Sequence, residues 1–236
     1  MITLNLVNGE RQYILMLDTE TANTLVQEDG KLDMSCVLAY DFGWAVVDRS
    51  GNIYRKRSFV NADVFLDKSL MSSAYYAEKV PQYWNEIKSG QRVLAKASTI
   101  RKIMLDDMRE FNTKIVCAHN AYFDYNAMRM TQRWVTKSRS RYWLPYGAEI
   151  WDTMSMARQV IAKMPSYRQF CKVHNLYSSQ GRLSLTAENL YRFITKNPDF
   201  VEQHTAFEDV EIEVAILAFC FRQRKPMRTK LFRDKT

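Results

Sequence analysis

The alternation of apolar and polar residues at the start of the chain predicts consecutive β-strands. Residues 1–10 end in Asn8-Gly9, a dipeptide typical of tight hairpin turns. The apolar run at 11–18 predicts a buried central strand, and residues 35–48 and 52–60 predict two more strands joined by a short turn. We therefore expect the chain to open as a meander of neighbouring strands.

Helical spacing of apolar residues dominates the rest of the chain. The predicted later elements, in order, are helical segments within 64–111 with breaks near Pro81 and Gly90, a short buried strand at 114–120, a helix at 123–135, a strand that turns into a helix at 149–161, short helices at 166–176 and 186–194, and a long apolar helix at 206–223. Strands followed by helices mixed with strands predict an α/β sheet of mixed direction. There is no internal repeat and no clear linker, so we expect a single domain at 1–223 and a basic C-terminal tail at 224–236.

Composition and charge narrow the possible functions. The chain has 236 residues, of which 47% are apolar and 13% aromatic, so we expect a large core and exclude global disorder. The formal net charge of +8 favours a polyanionic partner such as nucleic acid. Four scattered cysteines indicate reduced thiols, and the longest apolar run, at 214–221, is too short to cross a membrane. We therefore expect a soluble, cytoplasmic protein without a membrane partner.

The first candidate for chemistry is a pair of acids at the end of the apolar run. Asp18 and Glu20 are two residues apart, and residues i and i+2 of a strand point to one face. Two adjacent carboxylates repel each other, and a divalent cation such as Mg²⁺ removes that repulsion. A strand end that meets a solvated loop also explains the pair, and for this pair alone it is the more common explanation.

A third acid follows the strand predicted at 114–120. The segment "AHNAYFD" at 118–124 predicts a helix that begins near Asn120, a residue type that favours helix N-caps. Asp124 lies in the first turn, and apolar residues at helical spacing indicate that it faces inward. Taken alone, an acid that complements the helix dipole is the simpler interpretation.

A fourth acid lies in the first turn of the last long helix, and a histidine precedes that helix. In the segment "HTAFED" at 204–209, Asp209 shares a helical stripe with the apolar Ile212 and Ile216. A buried acid is unfavourable unless it is paired or metal-bound. His204 lies in the preceding loop, from which it can overhang the site that Asp209 enters. A generally acidic helix with a surface histidine remains the alternative.

Together, these clusters bring four acids and one histidine to the interior from different elements. That set suits two Mg²⁺ ions that promote in-line cleavage of a phosphodiester. In this combination the sequence resembles the DEDDh 3′–5′ exonucleases of the ribonuclease-H-like fold, which include polymerase proofreading subunits, ribonuclease T and oligoribonuclease. The resemblance rests on "LDTET" at 17–21 together with the "AHNAYFD" and "HTAFED" segments, in the family's order over nearly the whole chain.

The resemblance implies a ribonuclease-H-like mixed sheet flanked by helices, with a helical elaboration at 61–112 that matches no one subfamily. It implies that four acids hold two Mg²⁺ or Mn²⁺ ions and that His204 deprotonates the attacking water: the acids are Asp18, Glu20, Asp124 and Asp209. Thr205 does not fit the tyrosine branch of the family. The first motif continues with Ala22-Asn23 where many relatives have Thr-Gly, which leaves the preference for a terminal base open.

The implied substrate is nucleic acid with a free 3′ end, single-stranded DNA or RNA, from which nucleoside 5′-monophosphates are released. Candidate substrate contacts are Thr19, Thr21, Asn120, Arg139 and Arg141. The last two lie in a basic, aromatic stretch at 133–143, which suits single strands but is equally a solvated loop whose aromatic side chains pack into the core. The basic tail either adds salt-sensitive affinity or has no function in binding. A polymerase and a second copy of the chain are further candidate partners.

Other functions stay open from the sequence. The first is a catalytically weak module that binds nucleic-acid ends or accompanies a polymerase. The others are a different two-metal enzyme, such as an endonuclease or a phosphatase acting on small nucleotides, and a basic scaffold without activity. His119 and His174 have no expected role in the chemistry.

Overall fold

The strands of the protein form one large mixed sheet and one small hairpin. The structure, a computed structural model, describes residues 6–7 and 10–234. Its strands are β1 (Leu6–Val7), β2 (Glu10–Arg11), β3 (Ile14–Ala22), β4 (Leu38–Val47), β5 (Ile53–Asn61), β6 (Val93–Ala95), β7 (Ile115–Ala118), β8 (Glu149–Asp152) and β9 (Lys230–Arg233). Strands β1 and β2 pair antiparallel, as expected for the hairpin, whereas the predicted turn residues Asn8 and Gly9 lie outside the described residues.

The seven-stranded sheet has the order β6-β5-β4-β3-β7-β8-β9, with β3 at its centre. Strands β3, β4 and β5 form the antiparallel meander that the sequence predicts. Strand β7 runs parallel to β3 and β8 runs parallel to β7, so the sheet is mixed. The predicted α/β sheet of mixed direction is therefore confirmed.

The helices cover both faces of the sheet. They are α1 (Ala62–Phe65), α2 (Lys68–Met71), α3 (Val80–Ser89), α4 (Ala97–Glu110), α5 (Ala121–Thr136), α6 (Thr153–Gln159), α7 (Pro165–Val173), α8 (Ala187–Thr195) and α9 (Ala206–Arg222), with one 3₁₀ turn at Ala77–Lys79. Ile14 and Met16 of β3 pack with α6, α7, α8 and α9, whereas Leu15 and Leu17 pack with α4 and α5. This alternation follows from the two-residue period of a strand.

The helical elaboration at 61–112 is more divided than the sequence predicts. It consists of four helices, a 3₁₀ turn and the short strand β6, which pairs parallel with β5. Pro81 lies at the start of α3, where proline is tolerated because that N–H has no intrahelical partner, so it begins a helix rather than breaking one. Gly90 ends α3 with φ 79°.

The segment assigned to the basic tail also carries structure that the sequence analysis did not predict. Strand β9 pairs antiparallel with β8 and adds an edge strand to the sheet. The loop between α5 and β8 is irregular as expected, and its Trp143 is buried against Phe42 with ring centroids 4.8 Å apart. Within the described part of the chain, no helix combines the length and the apolarity needed to cross a bilayer.

Candidate active site

Strand β3 supplies the first two acids from within the strand. It extends to Ala22, four residues beyond the predicted end, because Thr21 and Ala22 continue to pair with β4 after a register shift that follows Glu20. Asp18 and Glu20 share the strand face of Met16, which packs toward α9. Glu20 is 8% exposed. The central strand therefore holds both carboxylates at fixed positions facing α9.

Helix α5 supplies Asp124 from its first turn, and β3 holds that side chain in place. Asp124 Oδ1 accepts hydrogen bonds from the Thr19 backbone N–H at 3.1 Å and from the Thr19 hydroxyl at 2.8 Å. Asn120 precedes the helix as predicted, but it has φ 67° and its side chain makes no capping hydrogen bond. Its backbone N–H donates to Asp152 Oδ1 at 3.0 Å, which fixes the turn between β7 and α5.

Helix α9 brings Asp209 to the same place because its N-terminus packs directly on β4. A Cβ atom at Gly43 would lie 1.9 Å from the Ala206 carbonyl oxygen, so only glycine permits this approach. The Ala206 N–H donates to Asp41 Oδ2 at 3.1 Å. One carboxylate oxygen each of Asp18, Glu20 and Asp209 lies within 4.8 Å of the others.

His204 lies in the loop before α9, at the mouth of the site. It has φ 51°, and its ring stacks on Tyr76 with centroids 4.8 Å apart and an interplanar angle of 13°. The Lys79 ammonium donates to the His204 carbonyl at 3.1 Å. His204 Nδ1 lies 3.7 Å from Glu202 Oε2, and these two side chains form a second potential ligand group with Asp209. The helical elaboration thus orients the histidine, through Tyr76 and Lys79.

Two further acids, Glu202 and Glu213, reach the site although the sequence analysis did not select them. Glu213 follows Asp209 by one helical turn and is 3% exposed. Its Oε1 accepts from the His119 backbone N–H at 2.9 Å, while its Oε2 is buried without a hydrogen-bond partner among the described residues. The sequence feature that indicates Glu213 is its position four residues after Asp209, which puts both side chains on one face of the helix.

His119 has a local structural role, consistent with its exclusion from the chemistry. Its ring nitrogens lie 2.9 Å from the Thr153 hydroxyl oxygen and 2.7 Å from the Leu185 carbonyl oxygen. Burial lowers the pKa of its imidazole, so the neutral form is favoured. The ring therefore ties β7 to α6 and to the segment before α8.

These side chains line one cleft of about 400 Å³, which we call the acidic cleft. The described residues that line it include no lysine or arginine but carry six carboxyl groups, those of Asp18, Glu20, Asp124, Glu202, Asp209 and Glu213. Burial raises the pKa of Glu20 to about 10, of Asp209 to about 8 and of Asp124 to about 7, and the neighbouring acids mostly add to these shifts. Burial also raises the pKa of Asp18 and of Glu213. The nearby Glu213 carboxylate raises the pKa of Asp18 further.

The donor set of the acidic cleft fits divalent cations. Hard cations such as Mg²⁺ and Mn²⁺ prefer carboxylate oxygens. Asp209 Oδ1 and Glu213 Oε2 are buried without a hydrogen-bond partner in the described part of the chain. Buried polar atoms are normally satisfied, so these oxygens indicate groups that are completed by something outside the chain.

The predicted substrate contacts divide into two groups. Thr19, Thr21 and Asn120 line the acidic cleft. Arg139 and Arg141 are exposed and do not line it. They follow the C-terminal end of α5, whose N-terminal turn carries Asp124, and the rise of a helix separates those ends by roughly 20 Å. The two arginines therefore follow the end of α5 that is opposite to Asp124.

Solved structures of several nucleases are similar to this protein in fold, whereas comparisons of sequence find no match. No family model and no curated protein matches the sequence. The nuclease domain of 3′hExo, a DEDDh family member bound to rAMP, is similar with a TM-score of 0.55 and 12% identity, over 93% of this chain and 96% of that chain. A 3′-exonuclease that recognises the 3′ end of the histone mRNA stem-loop gives 0.53 and 9%, over 94% and 86%.

A bacterial nuclease is similar over a part of its length. E. coli Exonuclease I in complex with a dT13 oligonucleotide gives a TM-score of 0.52 and 14% identity, over 89% of this chain and 41% of that chain. The predicted ribonuclease-H-like α/β fold is therefore confirmed: the protein has the fold of the DEDDh exonucleases.

Proposed function

We propose that the protein is a metal-dependent 3′–5′ exonuclease that releases nucleoside 5′-monophosphates from the 3′ ends of DNA or RNA strands. The observation that carries the proposal is the convergence of Asp18, Glu20 and Asp209 within 4.8 Å, with no cation of the chain bound to them among the described residues. The fold shared with DEDDh exonucleases supports it. The basic surplus of the chain fits a polymeric anionic substrate.

Two Mg²⁺ or Mn²⁺ ions would be held by Asp18, Glu20, Asp124 and Asp209. When bound, they would supply positive charge that activates a water and stabilises the charge that develops on the phosphate oxygens. Glu213, buried beside this set, adds a further negative charge that favours cation binding.

The chain's own side chains then position the reactants. His204 lies at the mouth of the acidic cleft, where it would take the proton of the attacking water. Burial and the nearby Lys79 charge lower the pKa of His204, so the neutral imidazole that can accept a proton is favoured. Thr19 holds Asp124 through two hydrogen bonds and presents its backbone to the terminal nucleotide.

Other groups of the acidic cleft would bind the terminal nucleotide. Thr21 and Asn120 line the cleft and offer polar groups to its sugar and phosphate. Tyr75 also lines it, with 71% of its surface exposed, and offers a ring on which a base stacks.

The test is a cleavage assay with 5′-labelled single-stranded DNA and RNA in Mg²⁺, Mn²⁺ or EDTA. We expect a metal-dependent ladder that shortens from the 3′ end, with loss of more than about a hundredfold in rate for Asp18→Asn, because the loss of a charged group that holds catalytic metal removes several kcal/mol of transition-state stabilisation. The control Asp106→Asn removes an exposed surface acid and should retain the wild-type rate.

Circular single-stranded DNA and a thymidine 5′-monophosphate p-nitrophenyl ester separate the alternatives. Cleavage of the circle would indicate an endonuclease, and hydrolysis of the ester without polymer cleavage would indicate an enzyme of small nucleotides. Tight binding of linear strands without any cleavage would overturn the exonuclease and favour a module that binds nucleic-acid ends.

A further inference from the structure

A second, larger depression opens beside the acidic cleft. It has a volume of about 1170 Å³ and lies between α6, the start of α7 and the loop at 177–186. Met154 and Thr186 line both this depression and the acidic cleft, so the two are adjacent. A chain that leaves the acidic cleft on this side therefore meets the depression next.

The charge of this depression is opposite to that of the acidic cleft. Four exposed basic side chains line it: Arg158, Lys163, Arg168 and Arg182. No acid lines it among the described residues. None of the four forms an ion pair within the described part of the chain. By contrast, Arg55, Lys56 and Arg92 are all paired with acids. We call the depression the basic groove.

The wall of the basic groove is held in place by the fold. The Ser178 N–H donates to the Arg182 carbonyl at 2.8 Å, and Tyr177 pairs with Leu183 in an isolated β-bridge. The Tyr167 hydroxyl donates to the Ser184 carbonyl at 2.6 Å from α7. The loop therefore presents its hydroxyl and amide groups from a closed hairpin-like turn rather than from an open strand.

The lining chemistry matches a nucleic-acid backbone. Arginine and lysine neutralise phosphates, and serine and glutamine side chains such as Ser178 and Gln180 bind phosphate and sugar oxygens. Tyr177 is 43% exposed and offers a ring for a base. Unpaired cations around a concave surface without acids raise the local concentration of an anionic strand.

We propose that the basic groove binds the single-stranded part of a nucleic acid that lies 5′ of the terminal nucleotide in the acidic cleft. The inference rests on the proposed exonuclease function, and it assigns the path of the substrate strand to the α6–α7 side of the molecule. It places the main phosphate contacts there instead of at Arg139 and Arg141, which follow the far end of α5.

Two triple variants with equal loss of charge test the proposal. The groove variant carries Arg158→Gln, Arg168→Gln and Arg182→Gln. The matched control carries Lys137→Gln, Arg139→Gln and Arg141→Gln, which remove three exposed charges from the loop after α5. All six side chains are exposed, and thermal unfolding monitored by circular dichroism verifies that both variants fold. A third protein, with lysine at the three groove positions, retains the charge.

The measurement is the Kd for 5′-fluorescent single strands by fluorescence anisotropy in EDTA, where no cleavage occurs, at several KCl concentrations. Each phosphate contact contributes about 0.7 to the slope of log K against log salt for single strands. We expect the groove variant to lower that slope by about 2 for a long oligonucleotide and by less for a trinucleotide. The lysine protein should restore the slope, and the matched control should change it less than the groove variant.

Two results would overturn the proposal: an unchanged slope in the groove variant, or an equal or larger loss in the matched control. The cleavage assay in Mg²⁺ is scored separately on the wild-type protein. A lower slope in the groove variant without any nuclease activity of the wild-type protein would overturn the exonuclease function and leave the groove as a strand-binding surface. Nuclease activity with an unchanged slope would support the exonuclease function and overturn the groove.

Discussion

Two buried carboxylates, Glu20 on β3 and Asp41 on β4, are paired on adjacent strands of the sheet. They differ in the groups that surround them. Asp41 accepts hydrogen bonds from three groups: the Arg92 guanidinium at 3.0 and 3.1 Å, the Tyr83 hydroxyl at 2.7 Å and the Ala206 N–H at 3.1 Å. Glu20 has no ion pair in the described part of the chain; besides burial, the Asp41 and Asp209 carboxylates raise its pKa, and the Lys79 ammonium opposes them.

The difference separates two uses of a buried acid. Where the chain provides its own cation, the carboxylate is a structural anchor. Asp107 is a second case, because Arg55, Arg57 and the Trp44 indole all donate to it, and these bonds hold its pKa below the usual range against the effect of burial. Where the described part of the chain forms no ion pair with the carboxylates, as for Glu20 and Asp209 in the acidic cleft, burial disfavours their ionised form, and an external cation would favour it.

The largest expected effect is on the structural anchor. Arg92→Leu leaves Asp41 buried with its charge uncompensated, and breaking such a pair destabilises a protein by about 3–5 kcal/mol. For a chain of this size, we expect the melting temperature to fall by about 2–4 °C per kcal/mol. Differential scanning calorimetry measures it. As a control, Lys31→Ala breaks an ion pair that is 80% and 49% exposed and should change stability by less than about 1 kcal/mol. Equal effects of the two variants would contradict the comparison.

The second effect is the pH dependence of the metal-free protein. An acid whose pKa is raised by folding stabilises the native state at low pH, and this contribution is lost as pH rises through the folded pKa. With Asp124 at about 7, Asp209 at about 8 and Glu20 at about 10, the melting temperature in EDTA should fall as pH rises from about 4, the ordinary pKa of these acids, and the contribution of each acid should level off above its folded pKa.

The same scan with Mg²⁺ or Mn²⁺ is the reference for that prediction. Bound cations favour the ionised acids, so the fall should be smaller or absent. Burial raises the pKa of the Cys220 thiol to about 12, above the pKa of these acids, so the difference between the scans isolates the acidic cleft. Parallel curves in EDTA and in metal would contradict the assignment of the acidic cleft to cations.

A third, smaller effect concerns Glu213. Glu213→Gln removes a buried ionisable group but keeps an oxygen that can accept from the His119 N–H, so in EDTA it should raise the melting temperature, because burial and the neighbouring acids raise the pKa of Glu213. The substitution should also reduce the stabilisation of the protein by Mn²⁺ and raise the Kd for Mn²⁺ in calorimetric titration. Glu211→Gln is the matched control on α9, where the side chain is 60% exposed and pairs with Lys56. A lower stability of Glu213→Gln in EDTA would show that Glu213 is a structural anchor instead.

The smallest effect tests how His204 is held, because the elaboration orients it and the sheet does not. Tyr76→Leu removes the stacked ring, and an aromatic contact of about 0.5–1.5 kcal/mol corresponds to a fall in kcat of about twofold to tenfold. Steady-state kinetics measure this. Tyr75→Leu removes a ring that contacts Tyr76 but not His204 in the described contacts, and should raise KM more than it lowers kcat. The opposite division between kcat and KM would reverse the two roles.

Much of this arrangement is predictable from local patterns. The two-residue period of β3, the first-turn position of Asp124 and the helical stripe that Asp209 shares with Ile212 and Ile216 are local features, and the four inward acids follow from them. Glu213 was missed because, next to Glu208 and Glu211 on a helix predicted to be largely apolar, it fitted the alternative of a generally acidic helix. The helix is in fact buried on most sides, and Asp209, Ile212, Glu213 and Ile216 are all buried.

Long-range pairing accounts for the elements that no local pattern indicates. Strands β6 and β9 have three and four residues, carry weak strand signals and exist because a neighbouring strand lies beside each. The Arg92–Asp41 contact joins residues 51 positions apart in the chain. Such contacts depend on the assembled fold, so the sequence alone gives no basis for choosing Arg92 over the other basic residues.

The contact of Gly43 with the start of α9 also determines when the site comes into existence. The Asp41 carboxylate and the Ala206 N–H that seal this contact are 165 positions apart, so a chain emerging during synthesis has β3 and β4 long before it has α9. Until that helix docks, Asp209 is absent from the acidic cleft, so the cluster of carboxylates is complete only after most of the chain has been synthesised.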